Sequence, residues 1–264
     1  MAHAETVDVV IGAGSGMGTA VAAAVRGDRR ILVVDQHGDT AERVASTLAG
    51  AAEPVQCDIT DASACAELAS RIGRLGKLVV TAGLSPTMSP GERIFAVNLV
   101  GSAQLLAALD GIVTAGTAAV LFASIAGHGP APGPEVAAVL DDPLTEDLPG
   151  RLRAVGVEPS DPGVAYGLSK LGVIRLARRT APAWWRRGAR ILSLSPGIID
   201  TPMGNQELSQ QPMMRGMIDL VGRMGTPEEV ATVAAFLVSE AASFMSGCDV
   251  LVDGGFVAMA GEGS

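Results

Sequence analysis

The sequence predicts an α/β fold: one domain on a doubly wound parallel sheet of about seven strands, with helices on both faces. Three observations carry this. Short β-branched runs alternate with helical patterns from Thr6 onward. Gly12, Asp35, Asp58, Gly83 and Ser124 each fall at the carboxyl end of a predicted strand, where parallel sheets bind ligands. The 264 residues are 48% hydrophobic and 18% charged, enough for one large core.

Thr6 to Ile11 reads as a buried strand. The glycine turn Gly12 to Gly18 follows, then a helical Ala/Val-rich stretch to Arg26. Strand, glycine turn and helix make a phosphate cradle, because glycines admit a pyrophosphate and the helix start presents amides. Arg30 to Asp35 is a second strand, ending in an acid 17 residues past Gly18. That carboxylate suits adenosine ribose and opposes a 2′-phosphate, and the next residues, Gln36, His37 and Gly38, bring no Arg or Lys. NAD is therefore expected over NADP. A helix over 39–48, a strand over Pro54–Ile59, a helix over 62–72 capped by Asp61 and a strand over Lys77–Thr81 come next. Ile94 to Leu109 is helical in pattern, with Asn98 an uncommon choice for its interior. Ala118 to Ala123 is a fifth strand, stopped at Ser124.

Residues 128–162 break the alternation with seven prolines and seven acids. They read as an insertion with short helices near 136–140 and 148–155, not as a second domain. A long helix over 164–185, a strand over Arg190–Ser195 and a Met-rich lid over 201–224 follow. The lid methionines suit either a bulky apolar ligand or core packing. Thr226, Pro227 and Glu229 open a helix, and Asp249 to Asp253 lies in a last strand.

Net charge is −9 with no basic stripe, which argues against nucleic acid. Six arginines between Arg175 and Arg190 read as the solvated face of the long helix. Cys57, Cys65 and Cys248 lack a metal spacing, and no metal is expected. No leader pattern is visible, and no apolar run free of Gly, Pro and charge reaches membrane length, so a cytoplasmic, membrane-free protein is expected.

Tyr166 and Lys170 share one helix face, and Tyr166 is the chain's single tyrosine. A nearby ammonium lowers a phenol's pKa and suits it to proton transfer. Taken alone, Tyr-x-x-x-Lys reads first as a partly buried Tyr on an amphipathic helix, and the other motifs decide the case.

Taken together, these residues resemble the short-chain dehydrogenase/reductase family, with its Rossmann-type fold, over nearly the whole chain. Gly12, Gly16 and Gly18 match its glycine turn, and Asp58-Ile59 its adenine contact. Thr81-Ala82-Gly83 stands where the family has Asn-Ala-Gly, which leaves one supporting hydrogen bond open. Asn98, Ser124, Tyr166 and Lys170 match the catalytic tetrad, and Pro196-Gly197-Ile198-Ile199-Asp200-Thr201 the nicotinamide-holding segment. The resemblance implies cofactor contacts from Gly12, Ser15, Gly16, Met17, Gly18, Asp35, Gln36, Cys57, Asp58, Ile59, Ala82, Gly83, Tyr166, Lys170, Pro196, Gly197, Ile199 and Thr201. It also implies that Asn98 holds a water, and that the protein is a homodimer or homotetramer. Ser124 and Tyr166 are 42 residues apart, a long insertion similar to that of bacterial 3α-hydroxysteroid dehydrogenase/carbonyl reductase. The expected function is NAD(H)-dependent interconversion of a secondary alcohol and a ketone, with a steroid or similarly bulky apolar substrate favoured. A non-catalytic NAD(H)-binding redox sensor or subunit is the competing class. A polyol or an acyl thioester is the competing substrate, and the lid, lacking a basic cluster, weighs against a highly anionic one. His128 is a candidate for the pocket wall.

Overall fold

Seven parallel strands pair in the order β3-β2-β1-β4-β5-β6-β7 in a computed structural model that describes residues 5–48 and 50–261. They are β1 (Thr6–Ile11), β2 (Ile31–Asp35), β3 (Ala52–Gln56), β4 (Arg74–Val80), β5 (Val113–Phe122), β6 (Arg190–Pro196) and β7 (Asp249–Val252). The start read for a leader and the tail Glu262 to Ser264 lie outside the described residues. Strand order reverses between β1 and β4, which opens a crevice beyond their carboxyl ends. Near-continuous runs such as Val7–Ile11 and Ile31–Val34 are buried because helices cover both faces.

One face packs on α1 (Gly16–Val25) and α2 (Gly38–Thr47), and on α11 (Pro227–Leu237). The other packs on α3 (Ala62–Ser70), α5 (Ser102–Leu109) and α8 (Pro162–Arg186). Asp61 caps α3 through the Ser63 and Ala64 amides, and Thr226 and Glu229 close a reciprocal capping box on α11. β3 stops at Gln56, so Cys57, Asp58 and Ile59 sit in the loop beyond it and not in the predicted strand.

α4 (Gly91–Phe95) runs through a π-helical turn (Ala96–Gly101) into α5. The continuous helix Gly91–Ile112 is long and apolar enough, by length and composition, to cross a membrane, although Gly101 and the charges of Glu92, Arg93 and Asp110 interrupt its apolar run. In this fold it is a core helix, 61% buried between neighbouring helices.

The segment before α8 carries α6 (Pro134–Asp141) and α7 (Leu148–Ala154). Val139, Leu140, Leu148 and Leu152 form a third apolar cluster with Ile94, Phe95, Leu99 and Ala165. Asp141 accepts two hydrogen bonds from Arg175, at 2.8 and 2.7 Å, and clamps α6 to α8. Arg187 binds Asp110, and Arg190 is buried against the Leu237 and Ser239 carbonyls. The six arginines are thus not one solvated face. Beyond β6 lie α9 (Pro202–Gln210), α10 (Met213–Val221) and, after β7, a terminal α12 (Phe256–Gly261) that periodicity did not indicate.

Candidate active site

The glycine turn leaves β1 with Gly12 at φ +76° and Gly16 at φ +53°, both in the left-handed region. At Gly18 a Cβ would lie 2.0 Å from the Gly12 carbonyl oxygen, so α1 starts against the strand end only without a side chain. Ser15 makes no side-chain cap, which leaves the first amides of α1 for an anion. Thr81 donates from its hydroxyl to the Ile11 and Gly12 carbonyls, at 2.8 and 3.0 Å. It thereby supplies a supporting bond where the family has Asn.

A cleft of about 520 Å³ runs from this turn along the strand ends. It brings together Gly12, Ser15, Gly16, Met17, Gly18, Asp35, Gln36, Cys57, Asp58, Ile59, Ala82, Gly83 and Thr201. The Asp35 carboxylate accepts the Gly14 and His37 amides at 3.0 Å each, which fixes it at the carboxyl end of β2. Burial works to raise the Asp58 pKa, but the Thr60 amide and hydroxyl and Arg93 outweigh it and hold it below the usual range. Sequence reasoning missed Arg43 and Arg93. Arg43 reaches across from α2 to the Gly14 carbonyl at 2.7 Å, and Arg93 lies 3.5 Å from Asp58; both line the cleft. A long anionic dinucleotide fits this cleft: glycine cradle, uncapped helix start and carboxylate at the second strand are all in place.

Beside the cleft stand the four expected catalytic residues. Ser124 leaves β5 and accepts from the Ala126 amide at 3.2 Å, heading a short 3₁₀ turn over Ile125–His128. That turn lies directly on α8: a Cβ at Gly127 would stand 3.0 Å from Lys170 and Leu171 backbone atoms. The close approach brings the Ser124 side chain near the Tyr166 phenol, where it works to lower its pKa. Lys170, 5% exposed, donates to the Phe122 carbonyl at 3.0 Å, and its Nζ is 5.8 Å from the Tyr166 ring centre. Asn98, in the π turn, accepts the Leu84 amide at 2.8 Å and donates to the Leu84 carbonyl at 3.0 Å and to Ser169 at 3.2 Å. Its side chain locks the loop after β4 to α8. π turns recur at functional sites, and this one turns an amide inward from an otherwise apolar helix.

Burial pushes the Tyr166 phenol up to about 12; a negative Glu207 adds to this and the neighbouring Ser124 side chain opposes it. Burial brings Lys170 down to about 8, against the pull of Glu207. The expectation that Lys170 lowers Tyr166 therefore does not describe the protein by itself. Tyr166 is partly exposed as a residue while its hydroxyl is enclosed, and there desolvation sets the direction of the shift.

Pro196, Gly197 and Ile199 do not line the cleft. Pro196 ends β6, and Gly197 and Ile199 line a second cavity of about 310 Å³ with Ile125, Met217 and Val221. The lid methionines divide: Met203 lines the cleft, Met217 the second cavity, and Met213 is exposed. His128 turns away from the pocket wall proposed for it. Its Nε2 meets Asp249 at 2.9 Å and Ser195 at 3.2 Å, so a carboxylate and a hydroxyl on β6 and β7 hold it. Ser85 and Glu207 were also missed; nothing in the spacing of a lid helix marks one acid as inward-facing.

The short chain dehydrogenase profile matches residues 6–136, and a second profile, enoyl-(acyl carrier protein) reductase, matches 152–257. Cis-4-hydroxycyclohexanecarboxylate dehydrogenase of Sinomonas cyclohexanicum is 31% identical over 98% of this chain and 99% of its own. A 3-alpha-hydroxysteroid dehydrogenase/carbonyl reductase of Comamonas testosteroni is 29% identical over 78% of this chain and 87% of its own. A solved 7 alpha-hydroxysteroid dehydrogenase, in complex with NADH and 7-oxo glycochenodeoxycholic acid, superposes with TM-score 0.76 at 22% identity. It covers 96% of this chain and 94% of its own, a likeness of fold. The strand order, the glycine turn and these matches agree, and the chain belongs to the short-chain dehydrogenase/reductase family of oxidoreductases.

Proposed function

We propose that the protein interconverts a secondary alcohol and a ketone with NAD(H), on a bulky apolar skeleton of hydroxysteroid type. The observation that carries this is the placement of Ser124 at the end of β5 against α8, with Lys170 of α8 buried and 5.8 Å from the Tyr166 ring centre, beside a dinucleotide-shaped cleft. Bound nicotinamide would supply or accept the hydride. Ser124 and Tyr166 offer two hydroxyls to one substrate oxygen and so orient it. A phenol held protonated suits ketone reduction, with Tyr166 giving its proton to the carbonyl oxygen. Lys170 supplies a positive charge on the same helix face. Asn98 keeps the β4 loop and α8 in register, and the water assigned to it belongs to this proposal.

Asp35 supports NAD(H) over NADP(H), since its carboxylate opposes a 2′-phosphate and Arg43 is engaged on Gly14. Relatives named for a hydroxycyclohexanecarboxylate and a hydroxysteroid support a ring-borne secondary alcohol. The second cavity, lined in part by Ile125, Met217 and Val221, supports bulk. A homodimer or homotetramer in the cytoplasm, without nucleic acid or membrane, completes the reading. α6 and α7 cover α8, so self-association would use other faces. The test is a panel of cyclic ketones with NADH and with NADPH. NADH oxidation that is lost in Tyr166→Phe is the expected result. NADH binding with no turnover across the panel would favour a redox sensor.

A further inference from the structure

His128 closes the 3₁₀ turn that Ser124 heads. The turn is short and tightly bonded: the Ala126 amide donates to Ser124 Oγ at 3.2 Å, and the Gly127 amide to the Ser124 carbonyl at 2.9 Å. Because Ser124 Oγ accepts there, its own proton stays free to meet a substrate oxygen. One flank of the turn rests on α8, where a Cβ at Gly127 would stand 3.0 Å from Lys170 and Leu171 backbone atoms. Toward the sheet the turn reaches out through His128, whose Nε2 lies 3.2 Å from Ser195 Oγ and 2.9 Å from Asp249 Oδ2. Asp249 opens the edge strand β7, and its side chain is 6% exposed. Among the described residues His128 is the one hydrogen-bonding partner of that carboxylate. Asp249 Oδ1 is buried and unbonded, as is Ser193 Oγ at the paired position of β6. An enclosed carboxylate with one partner is a poor device for stability. What the pair does supply is direction: facing a carboxylate, Nε2 carries a proton and fixes the ring against β7.

We propose that His128 is a positioning residue of the active site: its bond to Asp249 ties the Ser124 turn to the edge strand and holds the Ser124 hydroxyl where the substrate oxygen must come. α8 blocks the turn from moving one way, and His128 restrains it the other. His128 lines neither cavity, so it acts through Ser124 and touches no reacting atom. This rests on the alcohol/ketone reading above and adds a residue to it. A misplacement of about 1 Å at a reacting group can cost roughly 10²-fold in rate, so a strut outside the pocket can matter to turnover.

The test is a double-mutant cycle on kcat: wild type, His128→Leu, Ser124→Ala and the two combined. Each is assayed with NADH on the cyclic ketone that wild type reduces fastest. Turnover is taken per NADH-binding site, counted by fluorescence titration, so unfolded protein drops out. His128→Leu should lower kcat by roughly tenfold or more while leaving NADH affinity within about twofold of wild type. In the Ser124→Ala background the same change should alter kcat by less than about twofold, because the group it positions is gone. His128→Gln, which keeps a donor to Asp249, should recover most of the lost kcat. Unchanged kcat in His128→Leu, an equal loss in both backgrounds, or a His128→Gln as slow as His128→Leu would each overturn the positioning role and leave the alcohol/ketone reading standing. If His128→Leu alone fails to fold, His128→Leu with Asp249→Val removes the bare carboxylate and is read in the same two backgrounds by the same criteria. A wild type inert toward every cyclic ketone with NADH and every matching alcohol with NAD would overturn both.

Discussion

The two sides of the active cleft hold their polar groups in opposite ways. On the cofactor side, Asp35 and Thr81 sit at the ends of buried strands and bond to backbone groups of neighbouring strands and turns. On the lid side, Glu207 hangs from α9, whose buried residues number one, Gly204, and α10 buries none. The first arrangement is over-determined by the core. The second is set by few contacts, so an occupant can reset it. One side is built for a constant ligand, and the other leaves room for a substrate to select.

Each substitution below can break or sharpen that contrast. The largest effect is expected at the hinge between the two sides. Tyr166→Phe should lower kcat by about 10²- to 10⁴-fold while leaving NADH affinity near wild type, as read by nicotinamide fluorescence. A parallel loss of NADH binding would place Tyr166 in cofactor binding instead. Gly18→Val comes next. Its side chain would press on the Gly12 carbonyl, and cofactor affinity should drop by about thirtyfold or more, ~2 kcal/mol. Calorimetry checks this, and an unchanged affinity would mean that α1 can retreat and the cradle is not rigid. Asp35→Ala should cut NAD efficiency by roughly tenfold and improve NADP. A wild type that prefers NADP would transfer the decisive role to Arg43.

The pH dependence of the hinge is a smaller and sharper test. Tyr166 is the single tyrosine, so its near-ultraviolet phenolate absorbance reports one site. Its midpoint in the free protein should be near 12 and should fall in Glu207→Gln, which removes the lid-side contribution. An unshifted midpoint would detach the lid from the hinge. Stability follows the same shifts. The folded pKa of Tyr166 lies above its ordinary value of 10.0, so its contribution is fully present below about pH 10 and lost as pH rises toward 12. The folded pKa of Lys170 lies below 10.5, so the unfolded chain binds more protons between about pH 8 and 10.5, and stability gains from this group as pH rises through that window. Wild type should therefore gain on Lys170→Met across that window in chemical denaturation. The smallest effect is structural. Thr226→Ala breaks the capping box on α11 and should cost about 1 kcal/mol without changing substrate ratios.

The cofactor side was also the legible side. A glycine turn, an acid closing β2 and serine closing β5 are read from local patterns, because strand ends are marked by where apolar runs stop. Legibility failed where partners are far apart in sequence. Arg43 meets Gly14 across 29 residues, and His128 meets Asp249 across 121. The π turn at Asn98 leaves no signature beyond a polar residue in an apolar helix. Inserting α6 and α7 was foreseeable from prolines and acids, but their packing against α8 through Asp141 and Arg175 was not. The direction of the Tyr166 shift was misread because composition shows that a lysine is near and not how deeply the phenol is enclosed.

The central claim is hydride exchange between a nicotinamide and a ring-borne carbonyl at the Ser124–Tyr166 pair. Reduction of a cyclic ketone with NADH deuterated at C4, followed by mass spectrometry of the product, tests it most directly. One deuterium on the carbinol carbon, with product formation abolished in Tyr166→Phe, is the predicted result. Deuterium-free alcohol, or equal yield from Tyr166→Phe, would contradict it.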